Sequence, residues 1–354
     1  MIDILVILLA FLCVGKIKIS PKMEFNDDYL CMNDCNRIKG LFAIVVVLHH
    51  LSQKTSQGVL LQSFENVGYL AVGVFFFISG YGLIHSLTNK KEYLKGFLSK
   101  RLSAVIRPYI IIYLVFFLVH SLINGKLLSL ENIYIIDKKG DTFVAYSWYV
   151  FVIIALYIMF YLLAKLFGNR KVFIVIGSLI FEILWIYICI YQLGYGSWWC
   201  NTVLCFSVGM LWKLYEECIN RAIRKRYIIV LSITFILFFL VYGMYKSPTV
   251  VQFIKDHIID NNVVIFTMWR SCVSIIFVIL VALLGVKIKL GSYFLEKVGH
   301  VSYEMYLTQG IFFLVFEQKL PENELVYGIL IVGFTVVGAY LLKLFNKSIS
   351  KIKQ

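Results

Sequence analysis

The sequence predicts an all-α fold, a polytopic transmembrane helical bundle of about 11 helices, 10 in a core and one extra at the N-terminus. Three observations predict it. Hydrophobic residues make up 60% of the 354 and charged residues only 15%, whereas soluble domains average roughly 45–50% apolar and 25% charged. The apolar residues gather in runs of about 20, the length that crosses roughly 30 Å of hydrocarbon. With four prolines in the chain and no ten-residue alternation, these runs read as helices rather than barrel strands.

Apolar runs bounded by charge begin near residues 2, 38, 67, 108, 147, 172, 199, 227, 263, 300 and 325. The first, Ile2 to Gly15, has no basic region before it and no small-residue cleavage site after it, so it is expected to be retained as a helix. The second is the most polar at its ends. Four glycines and a serine in the third, Val67 to Leu83, allow close helix contact. The fourth starts at Pro108 behind a basic loop, and the fifth follows Ser147. The sixth carries Glu182, the ninth Arg270, and the tenth Glu304 and Gln309. The seventh, eighth and eleventh are apolar, each with a basic cluster at one end.

A net charge of +14 raises the question of nucleic acid, but the Lys and Arg sit in short clusters between spans, and no nucleic-acid partner is expected. Assigning loops alternately to two sides puts 24 basic residues on one and 7 on the other. The positive-inside rule then places the N-terminus outside, the C-terminus in the cytoplasm, and the chain as a multi-pass protein of the cell membrane, in contact with its lipid. The eight cysteines form no Cys-x-x-Cys pair, and neither a disulfide framework nor a metal site is expected.

Ionisable groups within apolar helices are costly, and each is a functional candidate. Eleven steps from Lys39 to His50 turn about 1100°, some 20° from whole turns, so the two share a face about 16 Å apart along the axis. An imidazole there suits a general base or transient acyl carrier, although a histidine near a helix end also sits comfortably at headgroup level. Arg101 and Arg107 border the fourth span, where a guanidinium can grip a phosphate in two-pronged fashion. A cytoplasmic phosphate-bearing donor such as coenzyme A fits them. Glu182 needs a partner in its helix, either Arg270 or a tyrosine, or a substrate. His300 and Glu304 lie four apart on one face, and His85 and His120 lie near span ends. The chain has no Gly-x-Ser-x-Gly elbow, His-Glu-x-x-His helix or Walker loop, which argues against a hydrolase, a metalloprotease and an ATP-driven pump.

An ordered set of motifs resembles the integral membrane acyltransferase family 3, bacterial O-acyltransferases of carbohydrates and related acceptors. Lys39 and His50 have the spacing of that family's arginine and essential histidine. Phe75 to Tyr81 is similar to its aromatic-Ser-Gly-Tyr motif, with Ser79 and Tyr81 as site-lining residues. Arg101 through Arg107-Pro108-Tyr109 resembles its basic segment. Trp148, Phe206 to Met210, and Val298 to Leu307 with Tyr303 also match in kind. Lysine replaces the usual arginine at position 39, and Gln309 stands where many members have a histidine.

The resemblance implies an extra transmembrane helix and cytoplasmic linker over residues 1–35, a membrane acyltransferase domain over 36–345, and a basic cytoplasmic tail over 346–354. It implies acyl-CoA, in the form of acetyl-CoA, as co-substrate rather than any tightly bound cofactor. The acceptor is then a hydroxyl of an extracytoplasmic carbohydrate or glycolipid. Catalysis falls to His50 with Lys39, acyl-CoA binding to Arg101 and Arg107, and site lining to Ser79, Tyr81, Glu182, Tyr303 and Gln309. A polar stripe inside a bundle is also what a flippase of a lipid-linked substrate, or a ligand sensor without turnover, requires.

Overall fold

The computed structural model describes residues 1–21, 24–125, 134–257, 262–317 and 323–352; Lys22, Lys126, Lys319 and Lys353, counted above, fall outside them. The helices in chain order are α1 Asp3–Val14, α2 Met32–Ser52, α3 Val59–Gln62, α4 Gly68–Asn89, α5 Phe97–Ile123, α6 Trp148–Phe167, α7 Lys171–Tyr187 and α8 Cys205–Leu214. They continue with α9 Glu216–Lys225, α10 Tyr227–Lys246, α11 Pro248–His257, α12 Asn262–Gly285, α13 Tyr293–His300, α14 Ser302–Glu317 and α15 Glu324–Ile352. Two short strands, β1 Lys18–Ile19 and β2 Ile288–Lys289, pair antiparallel with Lys18 opposite Lys289.

The all-α membrane bundle read from the sequence is the fold observed. Among the described residues seven helices are long and apolar enough to cross a membrane: α4, α5, α6, α7 with its continuation to Gln192, α10, α12 and α15. The four other expected spans are helical but shorter or more polar. Helix α1 has 12 residues, α8 has 10, and α14 has 16. Helix α2 has 21 residues but carries Asp34, Arg37, Lys39 and two histidines. Burial explains how such helices persist. The α2 and α8 helices are largely buried against other helices, where Arg37 of α2 pairs with Asp34 and Glu296 and Ser207 of α8 donates to Glu182. At the other extreme α10 is almost wholly exposed and apolar, as a helix solvated by lipid must be.

Several contacts join loops that charge counting assigned to one and the same side. At one end, called inner here, Arg37 Nε and Nη2 both donate to Glu296 Oε2 (3.2 and 2.7 Å). Arg224 pairs with Asp27, and Tyr29 accepts from Trp212 Nε1 (2.8 Å) and donates to Asn220 (2.9 Å). Burial pushes the Tyr29 phenol up to about 12. At the outer end Glu324 accepts from the Ser56 and Gln57 amides, and Trp199 Nε1 donates to the Gly140 carbonyl (2.9 Å). Helix α1 runs between the two ends: Asp3 accepts from the Leu61 amide, while Leu12 O accepts from Ser292 Oγ.

Two seams bring helix backbones into direct contact. A Cβ on Gly80 of α4 would lie 2.0 Å from the Phe206 carbonyl of α8, and one on Gly209 of α8 would lie 2.0 Å from the Phe77 carbonyl of α4. Likewise a Cβ on Gly40 of α2 would meet Leu295 O of α13 at 2.1 Å, and one on Gly299 of α13 would meet Asn36 O at 1.8 Å. Small residues at such crossings let dispersion and carbonyl contacts replace the hydrophobic drive that lipid cannot supply. Gly80 of the third apolar run therefore serves packing, and so does Gly209 of the Phe206 to Met210 motif.

Gly80→Ala and Gly209→Ala are each expected to destabilise the protein by about 1–3 kcal/mol or more, because backbone rather than a side-chain tip must yield. Gly82, two residues along α4, has nothing within 4 Å of its would-be Cβ. Gly82→Ala is expected to hold or raise stability by up to about 1 kcal/mol. Thermal unfolding of the three variants in detergent micelles checks the contrast.

Candidate active site

Two cavities enter the bundle from opposite ends. The inner one, about 530 Å³, opens among α2, α4, α5, α14 and α15, and the outer one, about 540 Å³, lies among α2, α4, α14 and the loops that precede α6 and α8. Val46, Val72 and Tyr306 line both. The cavities thus meet at those three side chains near mid-bundle. Tyr306 is fixed there because its hydroxyl donates to the Tyr146 carbonyl and accepts from the Tyr149 amide at 3.1 Å.

Helix α2 links the two spaces. Lys39 lines the inner cavity and His49 and His50 line the outer one. The His50 ring stacks on Tyr146 with centroids 3.8 Å apart and has Phe313 edge-on at 6.4 Å. Its neighbour His49 sits 4.8 Å away, with Nδ1 3.1 Å from the Phe64 carbonyl. A Cβ on Gly68 would lie 2.1 Å from the His49 ring, so the first residue of α4 is flush against that imidazole. The remaining outer lining mixes aromatic faces with polar groups: Tyr69, Trp148 and Trp198 beside Asp141, Asn201 and Gln53.

The inner lining is cationic, with Lys39, Arg101 and Lys343 against the single carboxylate of Glu304. Arg101 donates to Tyr93 Oη (2.9 Å) and lies over the rings of Phe97 and Tyr157 at 6.0 and 5.7 Å. This clamp aims a guanidinium without neutralising it. Lys343 is 3.6 Å from Glu304 and donates to the His300 carbonyl. Pro108 of α5 has no amide hydrogen, so the Ala104 carbonyl lacks its helical donor, and Ala104 lines this cavity.

The residues singled out from the sequence separate into groups. Ser79, Tyr81, Tyr303 and Gln309 line the inner cavity with Lys39 and Arg101. Tyr81 donates to Glu216 (2.7 Å), Tyr303 to the Val105 carbonyl (2.8 Å), and Gln309 Nε2 to the Tyr306 carbonyl (3.1 Å), leaving the buried Gln309 Oε1 without a partner among the described residues. His85, His300 and Glu304 line the same cavity. Arg107 does not, since six residues from Arg101 turn about 600° and leave it on another face of α5. Glu182 lines neither cavity. It is fully buried and accepts from Ser207 (2.7 Å), rather than pairing with Arg270, which donates to Ser197 (2.7 Å) and Tyr245. Lys343, Gln53, Tyr146 and Tyr306 were passed over in the sequence. For Gln53 the signal was its place three residues after His50 on one helix, while Lys343 was hidden in a tail of basic residues.

A family model described as an acyltransferase domain matches residues 33–344, which takes in α2 through most of α15 and both cavities. The chain belongs to acyltransferase family 3. It is a membrane acyltransferase, and the match leaves α1 and β1 outside. No curated protein and no solved structure matches the chain.

In this acyltransferase Gly68→Ala is expected to displace the His49 ring, and through it the paired His50, while the helices stay formed. Misplacement on the scale of an ångström costs roughly 10- to 100-fold in rate. An acyl-transfer assay alongside a circular-dichroism spectrum checks this; unchanged transfer would show that the ring's seat does not matter.

Proposed function

We propose that the enzyme takes an acyl group, in the simplest case acetyl, from cytoplasmic acyl-CoA and passes it to a hydroxyl of an extracytoplasmic glycan or glycolipid. The observation that carries this reading is the pair of cavities that open at opposite ends and share Val46, Val72 and Tyr306. Charge and chemistry give each cavity a different occupant. Arg101 and Lys343 suit the phosphates of a coenzyme A. The outer lining of aromatic faces, carboxylate and amides suits a sugar, whose ring stacks while its hydroxyls are hydrogen-bonded. By the positive-inside count the cationic cavity faces the cytoplasm of a cell membrane, with the N-terminus outside and the C-terminus inside.

The donor's thioester arm then has about 16 Å of helix rise to cover between the levels of Lys39 and His50. His50 takes the proton of the acceptor hydroxyl as its oxygen attacks the thioester carbonyl. The C–O bond forms, the C–S bond breaks, and the proton passes to the departing thiolate, so that acyl ester and free CoA result. Lys39 keeps positive charge beside the donor's path without the planar fork of the family's arginine. Arg107, off the lining, has a lesser part in holding the donor.

With labelled acetyl-CoA and a cell-envelope glycan fraction, wild-type protein is expected to release CoA only when the acceptor is present. His50→Ala, inserted normally, is expected to lose transfer; undiminished transfer would sink the mechanism. Arg101→Ala is expected to raise KM for acetyl-CoA roughly tenfold or more with a smaller change in kcat, and Arg107→Ala to raise it less.

A further inference from the structure

The outer cavity holds an arrangement around His50 that the proposed reaction has not used. Gln53 lies one turn beyond both histidines and touches each. Its Nε2 is 3.4 Å from His49 Nε2, and its Oε1 is 3.3 Å from His50 Nδ1. His49 Nδ1 in turn is 3.1 Å from the Phe64 carbonyl.

The protons along this row are fixed by elimination. A carbonyl oxygen cannot donate, so His49 Nδ1–H donates to Phe64 O. A neutral His49 then has a bare Nε2, which must accept, and the partner facing it is the Gln53 amide N–H. That orientation turns Gln53 Oε1 toward His50, where it accepts from Nδ1–H. Flipping the amide would set oxygen against the bare His49 Nε2, an acceptor against an acceptor. The remaining ring nitrogen, His50 Nε2, bears a lone pair and has no hydrogen bond to any described residue, and its ring borders the cavity. Geometry supports the row at both ends. Gly68 permits the His49 ring its place, and Tyr146 stacks on His50 so that the ring plane is held as well as its edge.

We propose that Phe64 O, His49 and Gln53 form a relay of oriented hydrogen bonds that holds His50 in the Nδ1–H tautomer and presents Nε2 as the acid–base nitrogen. His49 and Gln53 are positioning residues, and the Phe64 carbonyl sets the direction of the row. This rests on the reading of His50 as the group that takes the acceptor's proton. Without the relay an imidazole holds its proton on either nitrogen, and the tautomer with Nε2–H cannot act as a base toward the cavity.

The test uses the full-length protein labelled with nitrogen-15 in its histidines, in lipid nanodiscs. The ring signals of His50 are those that vanish in His50→Ala. In the wild type they are expected to show a protonated Nδ1 and an unprotonated Nε2. In Gln53→Leu the Nε2–H tautomer is expected to appear, and kcat with acetyl-CoA and the envelope glycan fraction is expected to fall by about tenfold or more, with KM for acetyl-CoA unchanged. Gln53→Glu, whose carboxylate accepts from His50 Nδ1–H and draws a proton onto the facing His49 Nε2, is expected to recover much of the lost kcat. Wild-type His50 protonated at Nε2 would overturn the relay, and so would ring signals that Gln53→Leu leaves unchanged. Those outcomes beside an inactive His50→Ala remove the relay alone. Full activity in His50→Ala removes the acid–base reading of His50 and leaves the tautomer measurement standing.

Discussion

Backbone contact at the two glycine seams is the constraint on which the rest of the bundle depends. Lipid offers helices no hydrophobic reason to associate, so α4 meets α8 and α2 meets α13 through carbonyl oxygens pressed where glycine leaves no Cβ. The ion pair from Arg37 to Glu296 closes the second seam at its inner end. These crossings set the depth and rotation of α2 and α4, and those two helices carry Lys39, His49, His50, Ser79 and Tyr81. A shift of α2 by one residue would turn it by about 100° and carry Lys39 and His50 from their present places on the cavity walls.

Polar groups in the interior follow from the same lack of water. Glu182, with no cavity to face, is held at one carboxyl oxygen by Ser207, and its other oxygen has no hydrogen-bond partner among the described residues. Groups that line a cavity can remain partly unpaired, as Gln309 Oε1 does. Both spaces are lined by imidazoles and aromatic rings, to which the inner one adds cations from α2, α5 and α15 and the outer one Asp141, Asn201 and Gln53. The asymmetry between the two is chemical rather than one of size, since their volumes are nearly equal.

Much of this was legible in the chain. Apolar run length gave the helices, and loop charge put on one and the same side several loops that contacts join. The helical spacing of Lys39 and His50 put both on cavity walls. What the sequence hid has physical causes. Helix α8 is short and largely packed by protein, and a rule calibrated on lipid thickness overstates it. Arg101 and Arg107 look equivalent in a basic loop, but α5 begins at Phe97 and winds them onto different faces. Lys343 reaches the site from 242 positions beyond Arg101 in the chain, and only the docking of α15 brings it there. Glu182 was conspicuous as a lone carboxylate, and the structure gives it a hydroxyl on the facing helix at one oxygen rather than the expected arginine.

Tyr306 gives the shared wall a further significance. Both cavities converge on its ring and on two valines, so what divides the two ends of the bundle at that level is about one layer of side chains. Such a wall sets two chemically different spaces one side chain apart. By anchoring the tyrosine hydroxyl to two backbone groups of a neighbouring segment, the fold makes this thin layer a fixed partition rather than a loose plug.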